Sequence, residues 1–334
     1  MTSAHKRSLT GIRSSGDLHL GNYLGAIKEG LKLQQEYECL YFIADMHSLT
    51  TNREPEKLKS SSYEILAAWI AFGLDTKKHL MYRQSDLSMV CEFAWYLSCV
   101  TGFGFLSKAH SYKDATAKGN DVNHGVFAYP VLMAADIIMY DADVVPVGKD
   151  QKQHVEMARD MAGAFNAIYG EDILKLPTPL INEEVMTIPG LDGRKMSKSY
   201  NNTIPIFADE KPLRKKIMSI ETDSSTLEEP KTLEGTLIGD LYSHFASKEQ
   251  TDDLSSRLSA GGMGWGHAKQ ELFEVINEYL LEPRKIYQEL RADEAALDKI
   301  LLDGAERALQ IGQPILNRVR EAVGFNPSAF KAIR

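Results

Sequence analysis

A change of pattern partway along the chain does most to limit its fold. From residue 7 to about 190, short apolar runs alternate with amphipathic helical stretches, the mark of a parallel sheet wrapped by crossover helices. Candidate strands are 8–12, 39–44, 80–84 and 144–147. Between them, 55–72 begins with Pro55 at an N1 position and carries Leu58, Ile65, Leu66, Trp69 and Ile70 on one face, ready to pack on a sheet. For the helix 151–169, Asp150 is the expected N-cap and Gln153 stands in the capping-box position. After residue 205 strand signals fade: 271–290 and 294–323 have helical periodicity, and GGMGWG at 261–266 marks a mobile turn between two helices. The expectation is an α/β protein with a Rossmann-like parallel-sheet domain over 1–204 and an all-helical second domain over 205–334. The boundary falls in the Gly-, Ser-, Asn- and Lys-rich stretch 192–205.

A chain of 334 residues, 43% hydrophobic and 25% charged, builds one or two ordinary cores without staples. Its 38 basic and 46 acidic residues leave a net charge of −8, which excludes an all-over nucleic-acid coat. A local basic patch stays possible, because charge beyond about 8 Å is screened at physiological salt. Cys39, Cys91 and Cys99 form no CxxC pair and sit in apolar or aromatic settings, so all three are expected as buried thiols. The N-terminal stretch lacks the apolar core of a signal peptide, and no apolar run approaches the roughly 18 residues of a membrane span. No membrane association and a cytoplasmic location are therefore expected.

Gly11, Gly16, Gly21 and Gly25 surround the junction from the first strand to the first helix. A helix N-terminus offers free N–H groups and a positive dipole end, and glycine lets a phosphate or nucleotide ring approach. His19 can donate to phosphate at neutral pH without adding a permanent charge. Spacing alone fits an ordinary turn equally well, with His19 a surface histidine.

The residues between the glycines narrow the choice. SSGDLHLGN resembles the first signature of the class I aminoacyl-tRNA synthetases in its tryptophanyl form, with Ser15, Gly16, His19, Gly21 and Asn22 matching. The resemblance implies that this loop holds the adenine and phosphates of ATP, with Arg13, Ser14, Ser15, Gly21 and Asn22 in contact and His19 catalytic. Arg13 and Ser14 stand where bacterial tryptophanyl members usually carry Gln-Pro, and His19 where they usually carry Thr. The arginine adds a fixed positive charge near the phosphates.

Residues 195–199 read KMSKS, preceded by Gly193 and Arg194 in the boundary stretch. Two lysines on a mobile loop can swing against the β- and γ-phosphates and stabilise charge on departing pyrophosphate. An arbitrary KxxK linker is usually a solvated loop. This string, however, equals the second class I signature letter for letter and follows the first at the expected distance. The resemblance assigns Lys195, Met196, Ser197, Lys198 and Ser199 to ATP, with Lys195 and Lys198 catalytic.

In YPVLMAADIIMY, residues 129–140, Met133 and Asp136 are three apart and share a helix face. A thioether can line an aromatic ring there and a carboxylate accept its N–H. A generic aspartate more often pairs within the fold, and in an apolar helix it needs some partner. The flanking residues resemble the tryptophanyl branch, where this aspartate takes the indole N–H; the tyrosyl sisters typically have glutamine at the Met133 position. VPVGKDQKQH, residues 145–154, continues the likeness. It implies Val145 and Val147 beside the indole, Gly148 and Asp150 near the ribose, and Gln151 near the amino group, with Lys149 replacing the usual glutamate of the ATP site. Thr10, His47 and Tyr129 fall on tryptophan-site positions and Val185 beside the adenine. Leu9 and Ala44 replace a usual phenylalanine and valine, which implies a roomier pocket. Lys113 matches a loop lysine that contacts phosphates; a second such lysine falls on Ala115, with Lys118 the candidate substitute.

The resemblance implies the bacterial-type activity: ATP, with Mg²⁺ carried on its phosphates and no metal site of the protein's own, activates L-tryptophan to tryptophanyl-adenylate, which is transferred to tRNA(Trp). It further implies that 205–334 binds the anticodon, with the last helix a candidate to pack back on the catalytic domain. A homodimer would form through an insertion at about 74–125, with Trp95, Tyr96, Phe103 and Phe105 as interface material or, alternatively, as core. The competing readings are a tyrosyl enzyme and a paralogue that has lost charging and serves in binding or regulation.

Overall fold

The computed structural model describes residues 6–13, 18–117, 119, 122–148, 151–181 and 188–325. Five parallel strands form one sheet: β1 (Arg7–Ile12), β2 (Glu38–Ile43), β3 (Leu80–Arg83), β4 (Val144–Val147) and β5 (Thr178–Ile181), in the order β3-β2-β1-β4-β5. Four match the strands expected from sequence to within a residue at each end. β5 was not expected: TPLI is short, only half-buried and contains Pro179, which a ladder tolerates at its edge.

Helices cover both faces, so the strands read as apolar runs rather than alternating ones. Leu40, Phe42, Leu80 and Tyr82 enter one core together with Leu9 and Val145; Cys39, Tyr41, Ile43 and Met81 enter the other. The helix Pro55–Ala71 starts on its proline and buries Trp69, whose ring would lie 2.5 Å from a β-carbon at Gly30. Gly30 thus lets the helical run 20–35 cross close to it. The helix Lys152–Tyr169 departs from expectation at its start: Gln151 is the N-cap residue and makes no side-chain cap. Gln153 instead accepts from the His110 N–H at 2.9 Å, bracing a neighbouring loop, while Asp150 lies outside the described residues.

Beyond residue 205 the described chain is helical, with Glu210–Met218, Leu237–Phe245, Lys248–Ser259, Trp265–Arg291 and Glu294–Ala322. Gly261 and Gly262, both at positive φ, make the turn before Trp265, and a β-carbon on Gly261 would lie 2.6 Å from the Glu228 carbonyl oxygen. The long helix Glu294–Ala322 runs back along edge strand β3, so close that a β-carbon on Gly304 would lie 2.1 Å from the Met81 carbonyl oxygen. It is pinned by Asp298 to Arg83 (2.8 Å) and to Tyr63 (2.9 Å), and by Arg320 to Glu92 (2.5 and 2.7 Å).

One expectation for the Met89–Val100 region needs correction. Cys39 is buried, but Cys91 and Cys99 are exposed, because they lie with Trp95 on the face of Met89–Val100 that turns away from the core. Of the four aromatics there, Trp95 (68%) and Phe103 (73%) are exposed, whereas Tyr96 is buried with its hydroxyl on Glu92 at 2.7 Å and Phe105 packs against the core. No described helix is long and apolar enough to cross a membrane.

Candidate active site

β1 pairs with β2 on one side and β4 on the other, so the chain winds outward in both directions from the β1/β4 boundary. In such sheets a crevice opens beyond the carboxyl ends of the strands at that boundary. Arg13 follows β1, the turn Asp45–Ser48 follows β2, Gln84 follows β3 and Gly148 follows β4.

At one end of the crevice lies a buried polar chain. Asp136, 1% exposed on the helix His124–Ile138, sits 2.8 Å from His47 Nε2 through Oδ2. Gln84 Nε2 donates to both of its oxygens, each at 2.8 Å, and the His47 N–H donates to Gln84 Oε1 at 3.4 Å. Burial pushes the Asp136 carboxyl above the usual carboxylate range, while His47 and Gln84 pull it back by stabilising the anion. A carboxylate offers about four lone-pair sites. Among the described residues three are engaged, and one on Oδ1 is left to accept.

The His47 ring meets Tyr129 edge-on with centroids 5.8 Å apart, and the Tyr129 hydroxyl lies 2.5 Å from Nε2 of buried His154. Met133 is half-buried in the same helix, Val145 is buried and Val147 half-buried in β4, and Gln151 opens the next helix. Thr10, in β1, has a buried hydroxyl with no partner among the described residues. Gln84 had no signal in the sequence: its partner lies 52 positions away, and only the sheet brings them together.

At the other end the two signature segments are tied to each other. The Leu20 N–H donates to the Ile204 carbonyl at 2.9 Å, His19 and Pro205 form an antiparallel bridge, and the Gly21 N–H donates to Met196 Sδ at 3.3 Å. The fit at Gly21 is close, since a β-carbon would lie 3.0 Å from the His19 ring. The Asn22 side chain turns back to accept from the His19 N–H at 3.1 Å, and a π turn at Tyr23–Ile27 follows. Burial lowers the His19 pKa to about 4, with the nearby Lys198 charge adding to the shift, so the ring is neutral at physiological pH.

In the second signature Met196 is buried, whereas Lys195, Lys198 and Ser199 are exposed and Ser197 is half-buried with its hydroxyl 2.8 Å from that of Ser199. Arg13 is also exposed. Lys113 lies exposed on His110–Ala117 and makes no side-chain hydrogen bond or ion pair among the described residues, so this structure does not join it to the other cations. Ser14, Ser15, Gly16, Lys118, Lys149, Asp150 and Val185 lie outside the described residues.

A profile of the family described as "tRNA synthetases class I (W and Y)" matches residues 1–281. The tryptophan--tRNA ligase of Fusobacterium nucleatum is 47% identical over 320 residues, covering 96% of this chain and 98% of that one. That of Campylobacter jejuni strain RM1221 is 46% identical over 96% of this chain and its own full length. The crystal structure of the Campylobacter jejuni tryptophanyl-tRNA synthetase complexed with ADP and tryptophan superposes with a TM-score of 0.91 at 46% identity, covering 96% of this chain and all of that one. The chain belongs to the class I tRNA synthetases of the tryptophanyl and tyrosyl family. Within it, both of these relatives, which match at nearly full length, are tryptophan--tRNA ligases.

Proposed function

We propose that this chain uses ATP to activate L-tryptophan as tryptophanyl-adenylate and then transfers the tryptophanyl group to tRNA(Trp). The observation that carries the substrate choice is Asp136: a buried carboxylate held by two fixed donors, with one acceptor position left for an indole N–H. Such a hydrogen bond contributes about 1.5–3 kcal/mol. An analogue without the donor leaves a buried anion short of a partner, which supports about 10⁴-fold rejection of phenylalanine without editing. Met133, Tyr129, His47, Thr10, Val145 and Val147 complete the ring site in this reading, and Gln151 serves the amino group.

The tryptophan carboxylate is ionised at neutral pH, so its in-line attack on the α-phosphate needs no general base. Pyrophosphate leaves as the new acyl phosphate bond forms. Neutral His19 donates to a phosphate oxygen, while Lys195 and Lys198 stabilise the charge that collects on the leaving group, with Lys113 joining on loop movement. Arg13, Ser14, Ser15, Gly21, Asn22, Gly148, Lys149, Asp150, Val185, Met196, Ser197 and Ser199 serve ATP, and Mg²⁺ arrives on its phosphates as part of the substrate. The tRNA 2′-hydroxyl then attacks the adenylate carbonyl and AMP departs.

Residues 1–204 form the catalytic part and 205–334 the anticodon-binding part, the protein working as a cytoplasmic homodimer. The exposed Trp95 and Phe103 in the 74–125 region support that dimer. The test is amino-acid-dependent exchange of pyrophosphate into ATP with tryptophan, tyrosine and phenylalanine. Exchange with tryptophan alone is expected; exchange with tyrosine would move the chain to the sister activity, and none with any of them would sink the reading.

A further inference from the structure

The exposed lysines of the second signature hang from a neck that is held by one buried side chain. Asn202 is 2% exposed, and both ends of its amide are used. Its Oδ1 accepts from the Ser197 N–H at 2.8 Å; its Nδ2 donates to Asp192 Oδ1 at 2.7 Å and to the Lys195 carbonyl at 3.1 Å. Its own carbonyl accepts from the Leu191 N–H at 2.9 Å. The amide therefore grips the backbone on both sides of Met196, the residue whose sulfur meets the Gly21 N–H at the start of the first helix.

Two further features show that the neck is built around this side chain. A β-carbon on Gly190 would lie 2.3 Å from the Asn202 amide, so that position accommodates only glycine while Asn202 stays inside. The 3₁₀ turn Lys198–Tyr200 and a left-handed Asn201 (φ 52°) fold the chain back sharply enough to bring residue 202 under residue 195. Asp192 is in turn held by Arg194 Nε at 2.8 Å, and Arg194 lies over the Tyr200 ring at 4.4 Å, closing the neck on the solvent side.

We propose that Asn202 is a positioning residue for the reaction: by fixing the backbone at Lys195 and Ser197 it sets where Lys195 and Lys198 stand relative to His19. The proposal rests on reading those lysines as the groups that act on ATP. Removing the amide releases the neck at three points and leaves the indole end of the crevice untouched.

The experiment compares wild type with Asn202→Ala and Asp192→Ala, the second being a milder cut at a solvent-facing partner should the first not fold. Three quantities are read: kcat and the KM for ATP in pyrophosphate exchange, the Kd for tryptophan by calorimetry, and the rate of tryptic cleavage after Arg194, Lys195 and Lys198. Asn202→Ala is expected to lower kcat by about 10- to 100-fold, the range for a misplaced catalytic group. It should also raise the KM for ATP and speed cleavage at the loop, with the tryptophan Kd near that of wild type. Asp192→Ala should shift the same quantities less. Unchanged exchange and cleavage in both folded variants would overturn the proposal, as would a matching loss of tryptophan affinity, which marks a general structural role. Were the wild type itself silent in exchange, the functional reading would fall, and the cleavage rates would still decide whether Asn202 holds the loop.

Discussion

At the end of the crevice proposed to take the indole, the Asp136 carboxylate is buried, and its partners His47 and Gln84 come from the ends of two neighbouring strands. At the end proposed to take the phosphates, Lys195 and Lys198 are exposed, and Asn202 holds the backbone between them at the Lys195 carbonyl and the Ser197 N–H. Recognition of a neutral ring with a single donor gains from burial, because an unpaired polar group in low dielectric is costly and the penalty falls on the wrong substrate. Charge that appears only as pyrophosphate departs calls for groups that move with it, and burying two lysines permanently would cost more than it returns.

The contrast can be broken by four variants. Asp136→Ala should have the largest effect, lowering kcat/KM for tryptophan by about 10⁴-fold with little change in the KM for ATP; a loss shared equally by both substrates would show that the two ends are not separable. Replacing Lys195 and Lys198 together by alanine should lower kcat by about 10²- to 10³-fold, leaving the calorimetric Kd for tryptophan in place. Gln84→Leu should lower kcat/KM for tryptophan by about tenfold, the loss of one hydrogen bond to a charged group. The same variant removes a contact that favours the anion, so the Asp136 carboxyl rises further above its ordinary range and activity should fail at a higher pH than in wild type when the medium is acidified.

The smallest effect concerns His19. Its folded pKa, lowered to about 4, lies below the unfolded value near 6.5, so between these limits the unfolded chain binds more protons. Stability should therefore rise with pH across that window and level off above it. For a half-buried ring screened by solvent the contribution is below about 1 kcal/mol. Melting curves at pH 5 and pH 7 for wild type and His19→Asn check this: a pH dependence as steep in the variant would assign the slope to other groups.

Much of the architecture was legible because local pattern and burial agree. β2 and β3 are apolar runs buried on both faces, β1 and β4 have shorter buried stretches, and the two long C-terminal helices carry sustained periodicity. β5 was not, since a four-residue edge strand with a proline carries almost no pattern. At the site, the motif residues could be named from the chain, but the groups that hold them could not. Gln84 reaches Asp136 only through the sheet, and Asn202 acts through a turn whose closure depends on the left-handed Asn201 and the space at Gly190. Cys91 and Cys99 illustrate the reverse error: apolar neighbours in sequence placed them in a core, yet on a helix residues i, i+4 and i+8 share a face, and here that face points outward with Trp95.

The helix Glu294–Ala322 has a consequence for how the molecule comes into being. It closes the open hydrogen-bonding edge of the sheet at β3 and contributes Leu297 and Leu301 to one core and Ala308, Ile315 and Val319 to the other. These contacts join parts of the chain more than 200 positions apart, so they carry a high contact order and form late. During synthesis the sheet-forming half emerges with that edge bare, an invitation to pair with other nascent strands. Maturation of the catalytic sheet thus waits on a segment made long after it, and a ribosome that stalls before residue 294 would release a chain prone to aggregate.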